Sequence, residues 1–164
     1  MDKLSKDELI SFAVLLDMPE LLNFCSSSKY FNETICKNTA FWLHKLRPYG
    51  KISYFTLISD KTVREAVRFI MKNKYFDILK TLLRTKINKN DALIFASREG
   101  YLDVIKFLIE KYGVDVRNTQ REALKAAESR KHLEVAQYLR EKGGDKPLIV
   151  GTLDRPANLT LLNE

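Results

Sequence analysis

Only two histidines, His44 and His132, occur in the chain. A catalytic base or metal centre would therefore have to rest on other groups, and the sequence assembles none. It has no glycine-rich phosphate loop, no His-Glu-x-x-His and no carboxylate pair in a suggestive setting. Two cysteines, Cys25 and Cys36, have no further cysteine or histidine at ligand spacing, which argues against zinc. They are also too few for a disulfide framework, so they read as reduced thiols serving as small core hydrophobes in an intracellular protein. Six glycines and four prolines leave little room for linkers. No apolar run approaches the roughly 20 residues of a membrane span. The opening MDKLSKDELI mixes charges without the apolar stretch of a secretory signal. The expectation is a protein with no enzymatic activity, cofactor, metal or membrane partner.

What is present is an ordinary globular composition, 45% hydrophobic and 30% charged, with a net charge of +7. That charge is concentrated in residues 61–91. Lys61, Arg64, Arg68, Lys72, Lys74, Lys80, Arg84, Lys86 and Lys89 stand there against Glu65, Asp77 and Asp91. Arg64, Arg68 and Lys72 recur every four residues, as do Lys80 and Arg84, so each set lines one helix face. Such stripes suit an acidic protein or the phosphates of a nucleic acid.

Residues 4–46 read as short helices. Leu9, Phe12, Ala13 and Leu16 form an apolar stripe. Asp17-Met18-Pro19-Glu20 stops one helix and starts another, whose buried side is Leu21, Leu22 and Cys25. Ser26-Ser27-Ser28 offers caps for a helix burying Phe31 and Ile35, and Asn38-Thr39 caps a turn carrying Phe41, Trp42 and Leu46. Lys51 to Ser59, KISYFTLIS, is too aromatic and β-branched for a loose linker and is expected to pack as a short helix or strap.

The second half repeats itself. EAVRFIMKNKYFDILKTLLRT, DALIFASREGYLDVIKFLIEK and EALKAAESRKHLEVAQYLREK begin at Glu65, Asp91 and Glu122. Each carries an apolar helix, a polar turn and a second amphipathic helix, the pattern of a helix–turn–helix solenoid. Thr62-x-x-Glu65 has the form of a capping box that opens the first unit. Asp91-Ala92-Leu93-Ile94-Phe95-Ala96, Gly100-Tyr101-Leu102-Asp103-Val104-Ile105 and Lys131-His132-Leu133-Glu134-Val135-Ala136 resemble the ankyrin repeat. The resemblance implies recognition of a partner through turns and exposed inner-helix surface. The repeat spacing departs from that pattern by being short, and the departure implies clipped β-hairpin fingers. The target-binding residues expected on that surface are Arg98, Glu99, Tyr101, Asn118, Gln120, Arg121, Arg130 and His132, the last in the ankyrin position of a structural histidine.

The first half has its own likeness. Leu4, Glu8-Leu9, Phe12/Ala13/Leu16, Asp17-x-Pro19-Glu20-Leu21-Leu22, Cys25, Ser28-Lys29-x-Phe31 and Phe41-Trp42-x-x-x-Leu46 resemble an F-box. That resemblance implies docking on the Skp-type adaptor of a cullin-RING ubiquitin ligase through Leu4, Leu9, Phe12, Leu16, Pro19, Leu21 and Leu22. A plain helical cap on the repeat stack is the alternative. The combination resembles proteins of large DNA viruses of amoebae, which implies a host cytoplasm, nucleus or virion.

The fold expected is all-α. An F-box-like module spans residues 1–50, a packed connector 51–61, ankyrin-like repeats 62–90, 91–121 and 122–145, and a tail 146–164. The function expected is a substrate-recruiting adaptor. The alternatives are nucleic-acid binding through Arg64, Arg68, Lys72, Lys80 and Arg84, and a structural viral component.

Overall fold

The computed structural model describes residues 4–143. The end-capping expected of Leu148, Ile149 and Val150 therefore lies outside the described residues. Among those described, the backbone is built of helices and turns, with an isolated parallel bridge between Ile52 and Ile87.

The N-terminal module begins with α1 (Lys6–Leu15) and α2 (Met18–Ser27). Each opens with a capping box, Ser5 with Glu8 and Asp17 with Glu20, so side chains reciprocally satisfy otherwise orphaned amides. The apolar stripe expected on α1 is only half buried. Leu9 and Ala13 enter the core, whereas Phe12 is exposed and Leu16 lies beyond the helix end in extended backbone. Helix α3 (Lys29–Phe31), capped by Ser28, runs into a π-helical turn, Asn32–Cys36. Asn38 caps α4 (Thr39–Lys45). Lys45 reaches back to the Val14 carbonyl at 2.8 Å and also to that of Leu16, tying α4 to the end of α1. Burial pushes its ammonium below the usual lysine range, against the pull of the Asp17 carboxylate.

One expectation about this module is overturned. Cys25 and Cys36 are not free thiols; they form a disulfide with Cα atoms 6.0 Å apart. The chain reverses at Ser28, and the π-helical turn then sets Cys36 against the inner side of α2. Spacing along the sequence does not display that return.

The connector carries α5 (Tyr54–Ser59). Ile52 donates its amide to the Lys86 carbonyl at 2.8 Å, and α5 packs on both α6 (Lys61–Lys72) and α8 (Lys89–Glu99). Helix α6 is capped by Asp60, whose carboxylate accepts from the Val63 amide, and not by Thr62. Asp60 holds extended backbone whereas Thr62 is already helical, so only Asp60 can take the capping role.

Three helix–turn–helix units follow. Helix α6 pairs with α7 (Phe76–Thr85). Helix α8 pairs with α9 (Leu102–Lys106), which continues as a π-helical turn Phe107–Lys111. Helix α10 (Val116–Ser129) pairs with α11 (Leu133–Gly143). Val63, Ala66, Val67, Ile70 and Met71 bury one face of α6 at helical spacing. Ala92, Ala96, Ala123 and Ala127 are fully buried, and their small side chains let α8 and α10 lie close together. On the outer side, Phe76 stacks on Phe107 with centroids 4.5 Å apart, and the Tyr138 hydroxyl donates to Glu110 at 2.6 Å.

The same turn joins the helices of every unit. Lys74, Gly100 and Lys131 occupy equivalent places with φ of 58°, 80° and 62°. The next residue in each donates its amide back to the first helix, Tyr75 to Ile70, Tyr101 to Ala96 and His132 to Ala127. This left-handed conformation closes a helix without strain only for glycine. Lys131→Gly is therefore expected to stabilise the protein by about 0.5–1 kcal/mol, read as a higher urea midpoint with an unchanged slope.

The module and the stack share one core. Helix α2 packs on α6 and α4 on α7. Trp42 lies 5.8 Å from Phe69, and Phe69 lies 5.7 Å from Tyr75.

Candidate interaction surfaces

A groove runs over α8 between α5 and α10. Ile94 and Ala126 supply apolar lining, Tyr54 forms one wall, and Glu122, Lys125 and Ser129 complete it, enclosing about 330 Å³. None of the eight expected target-binding residues lines it. The repeat frame held the signal. Ile94 falls in register with Arg68 and Lys125, an apolar side chain where both neighbouring repeats place a charge.

The eight expected residues are dispersed. Glu99 pairs with Arg68 at 2.9 Å, an ion pair between the first and second units. Tyr101 lines a cleft between turns with Met71, Lys74, Asp103 and Glu134. Burial raises its phenol above the usual tyrosine value, and the Glu99 carboxylate adds to that. Gln120 and Arg121 line a basic groove on the far side of α10 with Arg117, Leu124, Lys125, Glu128 and Arg140. Gln120 also donates to the Leu139 carbonyl at 3.4 Å. Asn118 and Arg130 are exposed, and Arg98 is half-buried. His132 packs over Gly100 so closely that a Cβ added to the glycine would lie 2.6 Å from the imidazole.

The basic stripe is divided as well. Arg64 donates to the Ile58 carbonyl at 2.7 Å, and Arg68 is held by Glu99. Lys72 is exposed on α6, while Lys80 and Arg84 are exposed on α7. Two of the five cations are thus engaged within the protein.

A second surface lies on the N-terminal module. Of the residues expected to anchor an adaptor, Leu9 and Leu21 are buried in the protein's own core and are not available to a partner. Helix α1 packs on α4 and the π-helical turn, and α2 on that turn and α6. Leu4, Phe12 and Pro19 are exposed, and Leu16 and Leu22 are partly so. The structure adds Leu15, 84% exposed, and Phe24, whose ring stands 6.2 Å from Phe12 and 5.2 Å from Phe31. Large apolar side chains gathered in one small module mark an interaction face more often than a bare surface.

Among the described residues, no group of three or more His, Cys, Asp or Glu side chains is placed to hold a metal, and no helix is long and apolar enough to cross a membrane. Stacked helix–turn–helix units with an exposed groove define a helical-repeat scaffold, a class whose surfaces engage other proteins. The family whose pattern the sequence matches is ankyrin repeats, three copies over residues 65–149, and the chain belongs to that family. A stretch of 63 residues is 35% identical to alpha-latrocrustotoxin-Lt1a of Latrodectus tredecimguttatus. The match covers 37% of this chain and 4% of that much longer protein. No solved structure matches.

Proposed function

We propose that the chain is a two-surface adaptor. The ankyrin stack presents a target in the groove over α8, and the apolar face of α1 and α2 docks on a Skp-type adaptor of a cullin-RING ubiquitin ligase. The F-box likeness of residues 4–46 motivates the choice of partner. The observation that carries the reading is the exposure of Phe12 and Leu15 on a helix whose core-facing side is already filled by Leu9 and Ala13. Apolar groups left over after the core is complete gain only by meeting another molecule.

The groove suits a short segment with an apolar side chain at its centre. Ile94 and Ala126 would receive that side chain, and Glu122 and Lys125 offer charges of either sign to its flanks. The N-terminal face is tested by Phe12→Asp combined with Leu15→Asp. Leu15 stands in solvent and Phe12 keeps an edge contact with Phe24, so circular dichroism should stay as in the unaltered protein and the melting temperature should fall by no more than about 2–4 °C. Copurification of the Skp-type adaptor should fall by roughly a hundredfold, as expected when a central apolar anchor is replaced by charge. Failure of the unaltered protein to capture the adaptor removes this reading.

A further inference from the structure

We propose that the Cys25–Cys36 disulfide is a redox lock on the N-terminal module, which when closed fixes α2 and with it the Phe12–Phe24–Phe31 row, and when open lets that row loosen. The lock acts on the module's fold and does not depend on the identity of its partner. These are the only two cysteines in the chain, so no other pairing within it competes.

The bond joins two segments that are weak by themselves. Helix α3 has three residues and the π-helical turn five, too few to persist without tertiary support. Cys25 follows Phe24 directly, and Phe24 is the middle ring of the Phe12–Phe24–Phe31 row. Cys36 ends the π-helical turn, and its carbonyl accepts from the Trp42 indole at 2.8 Å. The Cys25 carbonyl accepts from the Asn32 amide at 2.8 Å, and the Asn32 side-chain oxygen lies 3.5 Å from the Tyr75 hydroxyl. Trp42 packs on Phe69. Each half of the disulfide is therefore one hydrogen bond away from a side chain that meets the first repeat. With the bond open, α2 keeps Met18 and Leu21 in the core, but its C-terminal turn loses the covalent tie to Cys36.

Closure needs a two-electron oxidant, and a low-molecular-weight disulfide of the oxidised-glutathione class meets that need. Cys25 and Cys36 are both buried, so exchange takes place as the module opens and can start at either sulfur, as at Cys25. Its thiolate attacks one sulfur of the oxidant, forming a mixed disulfide and expelling one glutathione thiolate. The Cys36 thiolate then attacks the Cys25 sulfur and expels the second. The two protons released by the cysteines go to the two glutathione thiolates, and the oxidant takes both electrons.

The full chain is equilibrated in buffers of oxidised or reduced glutathione and alkylated with iodoacetamide. In parallel it is digested briefly with trypsin, with the fluorescence of Trp42, the sole tryptophan, as reporter. In the oxidised buffer no alkylation is expected, and the mass should be two hydrogens below that of the dithiol. In the reduced buffer both cysteines should be alkylated after opening and the Trp42 emission should shift. Cleavage within residues 4–50 should speed up roughly tenfold, while the repeats remain resistant. Cys25→Ser with Cys36→Ser should show the Trp42 emission and cleavage rate of the reduced protein in both buffers. Two alkylated thiols in the oxidised buffer overturn the proposal, and so does equal cleavage of the unaltered chain in the two states.

Discussion

Trp42→Ala is expected to destabilise the protein by about 3–5 kcal/mol, the range for deleting a large aromatic from a packed core. The indole is fully buried and touches both parts of the molecule. It meets Phe41 edge-on at 5.1 Å inside the module and Phe69 at 5.8 Å on α6. Its removal leaves a void between them. It also strips the Cys36 carbonyl of its indole donor in a site where water is excluded, which adds the cost of an unsatisfied polar group. Trp42→Phe separates the two contributions. It keeps most of the packing and loses the donor, so it should cost about 1–2 kcal/mol. Urea unfolding followed by circular dichroism measures both variants. A loss below about 1 kcal/mol for Trp42→Ala would mean that the module and the repeats fold independently and that the Trp42–Phe69 contact carries little of the join.

That contact shows where the sequence could be read and where it could not. The helix–turn–helix units were legible because each is written locally: apolar residues three and four apart, a polar break, then the same pattern again. The caps at Ser28 and Asn38 were legible for the same reason, since a cap is a relation between residues two or three apart, whereas Asp17 reads only as a helix stop and is the cap of α2. Asp60 and Thr62 both have capping chemistry, and only the backbone of the preceding turn decides between them. The groove over α8 was not legible. Its lining comes from Tyr54, Ile94 and Ala126, which belong to three elements far apart along the chain. The charged and aromatic residues near the turns were the more conspicuous choice, yet several of them serve the stack itself: Glu99 ties to Arg68 and His132 lies over Gly100 between units, and Gln120 bonds Leu139 within the third. A repeat protein needs such ties at every junction, so polar residues in its turns serve assembly before they serve a partner. The disulfide escaped for a related reason. Cysteine count and spacing carry composition, whereas pairing depends on the reversal at Ser28.

Gly100→Ala should cost about 2 kcal/mol, because two independent constraints meet at that residue. The first is conformational: φ of 80° is left-handed, and an L side chain there costs roughly 1–2 kcal/mol. The protein accepts this cost at Lys74 and Lys131, where φ is 58° and 62°. The second constraint is space, and it explains why the middle unit has glycine. A Cβ on Gly100 would approach Cε1 and Nδ1 of His132 to 2.6 Å, so the imidazole of the third unit would have to move away from the turn of the second. A double-mutant cycle with His132→Ala divides the two effects. If the clash contributes, Gly100→Ala will cost less in the His132→Ala background than in the unaltered protein, by about 0.5–1 kcal/mol. Equal costs in both backgrounds would assign the whole loss to φ and show that the imidazole yields freely. In that case the contact between second and third turns would be incidental, and the junction would rest on the alanine faces of α8 and α10.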